Sequence, residues 1–374
     1  MNELNISSIL LKCRKEKGVT QEAVASYVGV SKASVSKWEK GVSYPDITLL
    51  PLLANYFQIS IDELIGYRPQ LEEQEIWRLY REFSEKFALR PFEEAVKETR
   101  EYQRKYDACH PFLFALAQLY LNYSVNAPSK EQGEQLLAEA EHFCKRIQKE
   151  SKDTLLKKDA LSMEAFIHLL NKKPERALEL LGTRIRAKLP SEQLMIQAHQ
   201  MLGEKERAMR MLQGILYQNL VETMDYLGTY IDLSEEENKK EEGIQRLQDF
   251  LRIFSLKQLI PHKTMGIYLY FALFYAERKN KEKAVHWLEE FTELIEQEKE
   301  HFTIHGDFFF DRMEKALLEM GLGNQLPRSS EIIRREILPA VAENPAFYFL
   351  KEDPRYLNII KRIKTALEKE AYGE

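Results

Sequence analysis

Apolar residues recur along most of the chain at three- and four-residue intervals, while strand-like alternation of apolar and polar positions is absent. That is the period of helices with one buried face. Residues 1–67 contain five such segments, separated by turn residues. In the first, Ile6, Ile9, Leu10 and Cys13 share a face until Gly18 stops it. Thr20 caps "QEAVASYV", which ends at Gly29, and Ser31 caps "KASVSKWE", which ends near Gly41. The side-chain oxygens of Thr and Ser accept from otherwise unpaired N–H groups of the first helical turn. Asp46 is expected to cap a fourth helix with Ile47, Leu50, Leu53, Ala54 and Phe57 turned inward, and Ser60 a short fifth, "IDELIG". Pro51 removes a helical N–H, so a kink or a late start is expected in the fourth.

Counting from Gln21, Ala25 lies four residues on, Gly29 eight, Val35 fourteen and Trp38 seventeen. A helix-turn-helix needs these residue types at these points. A small residue lets two helices approach, a glycine makes the sharp turn, and apolar residues fix the angle of the second helix. On a helix beginning after Ser31, Val35 and Trp38 face the core, while Lys32, Ala33, Ser36 and Lys37 face away, as a DNA-reading helix requires. Lysine can donate to guanine O6 and N7, and alanine can touch a thymine methyl. Serines and lysines, here Ser31, Ser34, Ser36 and Lys40 as well, can hold phosphates. The competing explanation is an ordinary solvated helix face.

The stretch from Leu11 to Gly66, "LKCRKEKGVTQEAVASYVGVSKASVSKWEKGVSYPDITLLPLLANYFQISIDELIG", resembles the Cro/phage-repressor (Xre) class of helix-turn-helix domains. The resemblance implies a five-helix, lambda-repressor-like DNA-binding domain. It implies that Gln21 touches a phosphate and that Lys32, Ala33 and Lys37 face bases. It also implies a buried structural ion pair between Arg14 and Glu39. Pro51 departs from the pattern of the class, which usually has an apolar non-proline residue there.

Beyond a short hinge, "GYRPQ", residues 68–374 read as helices in pairs. The clearest pair is "YLYFALFYAERKNKEKAVHWLEEF", where Tyr268, Phe271, Ala272 and Tyr275 precede Ala284, Leu288 and Phe291. A second runs through Leu161, Ala165, Ala177 and Leu181; weaker ones centre on Ala208, Gly243 and Gly133. The small residues at 133, 177, 208, 243 and 284 are 44, 31, 35 and 41 apart. These gaps scatter around the period of about 34 residues of the tetratricopeptide repeat, which the region resembles. The tail "AFYFLKEDPRYLNIIKRIKTAL" is expected to be a capping helix pair. The expected fold is therefore all-α, a DNA-binding domain (1–67) followed by a helical-repeat solenoid for sensing and dimerisation (68–374).

Stacked helix pairs make a concave face suited to an extended peptide or a partner helix. The repeat register puts Gln118, Asn122, Phe166, Leu170, Leu269 and Leu273 on it. Amides can hold a peptide backbone, and the apolar positions suit apolar peptide side chains. Any of the six could equally pack against a neighbouring helix.

The net charge of −5 hides a local basic excess: Lys12 to Lys40 carries seven Lys/Arg against three Glu. DNA binding needs only the contact face to be basic. Three cysteines without short spacing fit a reducing cytoplasm, and no run approaches the roughly 20 apolar residues of a membrane span. The pair His301/His305 has helical spacing, but Phe302 stands where a zinc protease needs Glu, so no metal and no cofactor are expected. "GLGNQ" at 321–325 follows no strand, and no nucleophile–base set stands out; no enzyme is expected.

In architecture the whole chain is similar to the Gram-positive peptide-pheromone receptors (the RRNPP group). That resemblance implies a homodimer, a palindromic or direct-repeat double-stranded DNA operator and a short intracellular peptide as effector; the apolar positions of the concave face lead us to expect a mostly apolar one. The alternatives are a DNA-tethered scaffold whose repeats bind a protein, and a phosphatase-inhibitor-like repeat protein with a vestigial DNA module. The intact Gln21–Glu39 stretch argues against the last.

Overall fold

The structure, a computed structural model, describes residues 5–66, 70–185, 187, 191–297, 304–320 and 328–368. Every regular element among them is helical. The chain forms two compact units. The first runs to Glu72 and includes Arg100–Leu113; the second comprises Glu73–Thr99 and the described residues from Phe114 onward. Of the expected hinge, residues 67–69 lie outside the described residues.

In the first unit, α1 (Ile6–Glu16), α2 (Gln21–Val28), α3 (Lys32–Glu39), α4 (Leu50–Phe57) and α5 (Ile61–Ile65) surround one small core. Its centre is Ile6, Leu10, Val24, Ala25, Val35, Trp38, Leu53 and Leu64, all buried. The caps act locally. Thr20 accepts from the Ala23 N–H and Ser31 from the Ser34 N–H. Ser60 and Glu63 form a reciprocal capping box that satisfies two orphan donors. Between α2 and α3, Gly29 sits at φ +77, a left-handed conformation that costs a side chain with a Cβ.

Asp46 caps a single 3-10 turn, Ile47–Leu49, and α4 begins only at Leu50. Pro51 thereby falls in the first helical turn, where its missing N–H forfeits no bond. The late start overturns the inward placement of Ile47. In the 3-10 turn its side chain leaves the α4 face and is 78% exposed.

The second unit begins with α6 (Glu73–Leu89), and α7 (Phe92–Lys105) and α8 (His110–Tyr123) pass through both units. Next come α9 (Lys130–Glu150), α10 (Thr154–Leu170), α11 (Pro174–Leu181), α12 (Ser191–Met201), α13 (Lys205–Leu233) and α14 (Glu237–Ile253). Then follow α15 (Leu256–Leu259), α16 (Pro261–Glu277), α17 (Lys281–Gln297), α18 (Met313–Glu319), α19 (Ser330–Ala342) and α20 (Pro354–Glu368). Sequential neighbours pack in pairs: α9 on α10, α10 on α11, α12 on α13, α13 on α14 and α16 on α17.

Small residues mark the closest approaches. Ala165, Ala177, Ala208, Ala272 and Ala284 are buried. A Cβ on Gly133 would lie 2.6 Å from the Ser124 carbonyl oxygen, and one on Gly243 would lie 2.6 Å from Ile231 Cγ1. Neither site has room for even a methyl group without displacing its neighbour.

Two features differ from the repeat pattern. The weak repeats at Ala208 and Gly243 are joined by one uninterrupted helix, α13, of 29 residues, which packs on α12 and on α14. Between 205 and 233 there is no proline, and the only glycines are Gly214 and Gly228. A mid-helix glycine costs about 1 kcal/mol and does not end a helix by itself. The tail is not a helix pair either: Pro345–Leu350 is 3-10, and only α20 is an α-helix. That helix packs on α17 and α19, with Arg362 bidentate to Glu296 at 2.9 and 2.6 Å. Among the described residues no helix is long and apolar enough to cross a membrane.

Candidate nucleic-acid interface

Helix α3 has two chemically distinct faces. Val35 and Trp38 are 1% and 6% exposed and anchor it to the core. Lys32, Ala33 and Lys37 are exposed, and Ser34 and Ser36 are partly exposed. Ser31, at the cap, is exposed and its hydroxyl lies 3.0 Å from that of Ser34, so capping engages both serines. Lys32 Nζ is 3.9 Å from Glu22 of α2, a pair of exposed groups that costs little to open. Among the described residues Lys37 and Lys40 make no ion pair.

Beneath this face lies a tighter network. Glu39 accepts from Arg14 Nε at 2.5 Å and from Arg14 Nη2 at 3.0 Å, a bidentate, charge-assisted pair. Arg14 Nη1 donates to the Val19 carbonyl at 3.1 Å. Gln21, the first residue of α2, donates its Nε2 to the same Glu39 at 2.8 Å. One carboxylate therefore joins α1, the start of α2 and the end of α3. Burial pushes the Glu39 carboxyl up, but the hydrogen bonds from Arg14 and Gln21 outweigh it and hold it below the usual carboxylate range. The Arg14 guanidinium is pushed up, chiefly by its hydrogen bond to Glu39.

The sequence pattern does not reveal the engagement of Gln21 by Glu39. Eighteen residues separate them, and only folding brings them together. Val42 and Tyr44, exposed at 69% and 55% directly after α3, are also not marked by helical spacing. Two large side chains in the non-periodic stretch "GVSYP" are the signal that marks them.

The residues assigned to a peptide face lie on three helices, α8, α10 and α16. Gln118 is half-buried on α8. Asn122 donates its Nδ2 to the Tyr80 hydroxyl at 2.9 Å, which leaves its carbonyl oxygen and one N–H. Phe166 and Leu170 on α10 are 47% and 45% exposed, whereas Leu269 and Leu273 on α16 are half-buried against the core. A cavity of about 700 Å³ lies elsewhere, lined by Gln245, Gln248, Tyr268, His286, Trp287 and Glu290 among others, and by none of these six. His301 and residues 321–325 lie outside the described residues. His305 is 3.9 Å from Glu314.

Residues 10–64 match the helix-turn-helix family. The chain is 39% identical over 57 residues to the HTH-type transcriptional activator BcrR of Enterococcus faecalis, covering 15% of this chain and 28% of that protein. It is 35% identical over 68 residues to the SPbeta prophage-derived uncharacterized HTH-type transcriptional regulator YonR of Bacillus subtilis, covering 18% of this chain and 63% of that one. The chain thus spans less than two thirds of either relative. It is similar at 15% identity and a TM-score of 0.30 to the crystal structure of Bacillus thuringiensis PlcR in complex with the peptide PapR7 and DNA, covering 68% of this chain and 96% of that one. With the spacing from Gln21 to Trp38, the caps and the two-faced α3 in place, the N-terminal domain of this chain is a helix-turn-helix domain of the kind carried by transcriptional regulators.

Proposed function

We propose that the chain is a sequence-specific DNA-binding transcriptional regulator whose helix-pair region dimerises and senses a short peptide. The observation that carries the DNA reading is the outward face of α3. Exposed Lys32, Ala33 and Lys37 stand on a helix whose inner face is buried and whose end is tied to α1 and α2 through Glu39. Such a helix enters the major groove pre-oriented, and Lys40 and Ser31 supply phosphate contacts at its ends. A single domain reads one half-site. A symmetric dimer would supply two at the separation of roughly 34–36 Å that one helical turn of DNA sets.

Selection of bound fragments from genomic DNA by the purified full chain is expected to enrich one two-part motif. Affinity for it should fall steeply with salt as phosphate neutralisation releases counterions. If no motif is enriched, the chain is not a sequence-specific regulator.

Support for the peptide reading is chemical. Asn122 keeps one donor and one acceptor after bonding Tyr80, enough to meet both groups of a peptide unit, and Gln118 lies one helical turn before it. Phe166 and Leu170 offer apolar contact. Peptide binding and operator binding must then change each other's affinity by the same factor. Calorimetry with apolar peptides of five to ten residues encoded near the gene, with and without operator, measures that factor. Asn122→Ala should weaken the peptide. If no peptide binds, the region is a scaffold for a protein partner.

A further inference from the structure

The α9–α10 pair contains a cluster with no part in DNA reading. Glu164 and His168 stand one turn apart on α10, and Glu141 faces them from α9. One ligand atom from each lies within 4.8 Å of the other two. The Glu164 side chain is 5% exposed and that of His168 12%. His168 Nε2 faces Glu164 Oε1 at 3.7 Å and Glu141 Oε1 at 4.0 Å, beyond hydrogen-bond range of both. Its Nδ1 is shut off from solvent and has no hydrogen-bond partner. A largely enclosed imidazole whose Nδ1 has no partner, and whose Nε2 faces two carboxylates just beyond hydrogen-bond range, calls for a physical reason.

The carboxylates are otherwise met from one side. Lys145 Nζ lies 2.5 Å from Glu141 and 3.8 Å from Glu164, and Gln148 Nε2 donates to Glu164 at 2.6 Å. Two carboxylates and one ammonium sum to one negative charge beside the imidazole. The Lys145 side chain is 56% exposed, so its ammonium can swing into water on its flexible stem. Two carboxylates and a divalent cation would then balance.

We propose that Glu141, Glu164 and His168 bind a first-row divalent transition-metal ion, with Lys145 as the displaceable cation that holds its place. Two ligands about 2.0–2.1 Å from a tetrahedral ion are about 3.4 Å apart. Small side-chain rotations bring the observed 3.7 and 4.0 Å to that separation. One imidazole nitrogen with two carboxylate oxygens suits zinc and its neighbours better than magnesium or calcium, which favour oxygen alone. Coordination through Nε2 gives that nitrogen its partner and fastens α9 to α10.

The test is calorimetric titration of the full chain with Zn²⁺ near neutral pH, with Co²⁺ absorption as a second readout. The wild type should bind with a visible Co²⁺ spectrum. His168→Gln and Glu141→Gln should each bind at least tenfold more weakly and lose that spectrum, and Lys145→Ala should bind more tightly. Unfolding curves without metal establish that each variant is folded. The half-buried Glu141 position keeps the test open if His168→Gln does not fold. Equal affinity in wild type and both Gln variants places the ion elsewhere and overturns the site, as does absence of binding in both wild type and Lys145→Ala. Neither outcome touches the operator selection, which needs no metal.

Discussion

Replacing Glu39 by alanine is expected to destabilise the DNA-binding domain by about 3–5 kcal/mol, because it strands the Arg14 guanidinium with its bidentate partner gone. The Arg14 and Glu39 side chains are only 16% and 4% exposed, so water replaces little of what is lost. Gln21 loses its acceptor at the same time. At about 0.05–0.15 kcal/mol per residue, a domain of this size has roughly 3–9 kcal/mol to lose, so most of its stability goes. Hydrogen exchange over residues 5–66 of the full chain should show collapsed protection there. Replacing Arg14 and Glu39 together by methionine should restore part of it, since no buried charge is then unpaired. Protection unchanged in Glu39→Ala would mean that the pair does not hold the domain.

The pH dependence follows with a definite sign. The folded-state pKa of Glu39 is depressed, so its contribution is fully present above the unfolded carboxylate value, about 4.3. It is lost as pH falls through the lower folded value. The wild-type domain should loosen in that acid range, and Glu39→Gln should lack this component of the transition.

The double variant Lys32→Ala/Lys37→Ala is expected to bind the selected operator at least about thirtyfold more weakly while folding normally. A lysine making a good base contact contributes about 1–3 kcal/mol, and two separate contacts add approximately. Both side chains are exposed and neither supports the core. Binding to unrelated DNA should fall far less, because Lys40, Ser31 and the α2 terminus keep their phosphate reach. Competition titrations against the operator and a scrambled duplex separate the two effects. Equal losses on both would make these lysines phosphate contacts and remove them as readers of sequence. Gln21→Ala is a poorer probe, because it also removes a hydrogen bond from Glu39.

Features that depend on near neighbours are legible in the sequence alone. Helix period, the caps at Thr20, Ser31 and Ser60, the glycine turn at 29 and the late start of α4 at Leu50, one of the two outcomes Pro51 allows, are short-range effects. So is the two-faced character of α3, which follows from helical spacing alone. The sequence also marked Ala272 and Ala284 as contact points, because a tight helix crossing demands small residues. It did not reveal that α13 runs on from Lys205 to Leu233, since the choice between a turn and a continued helix is made by the partners α12 and α14. A regular helix from Asp46 would turn Ile47 inward, but the 3-10 turn there leaves it exposed. The engagement of Gln21 by Glu39 and the meeting of Glu141 with His168 were decided only by tertiary structure. Both join groups on different helices, and sequence spacing records distances along a helix but not across the gap between two.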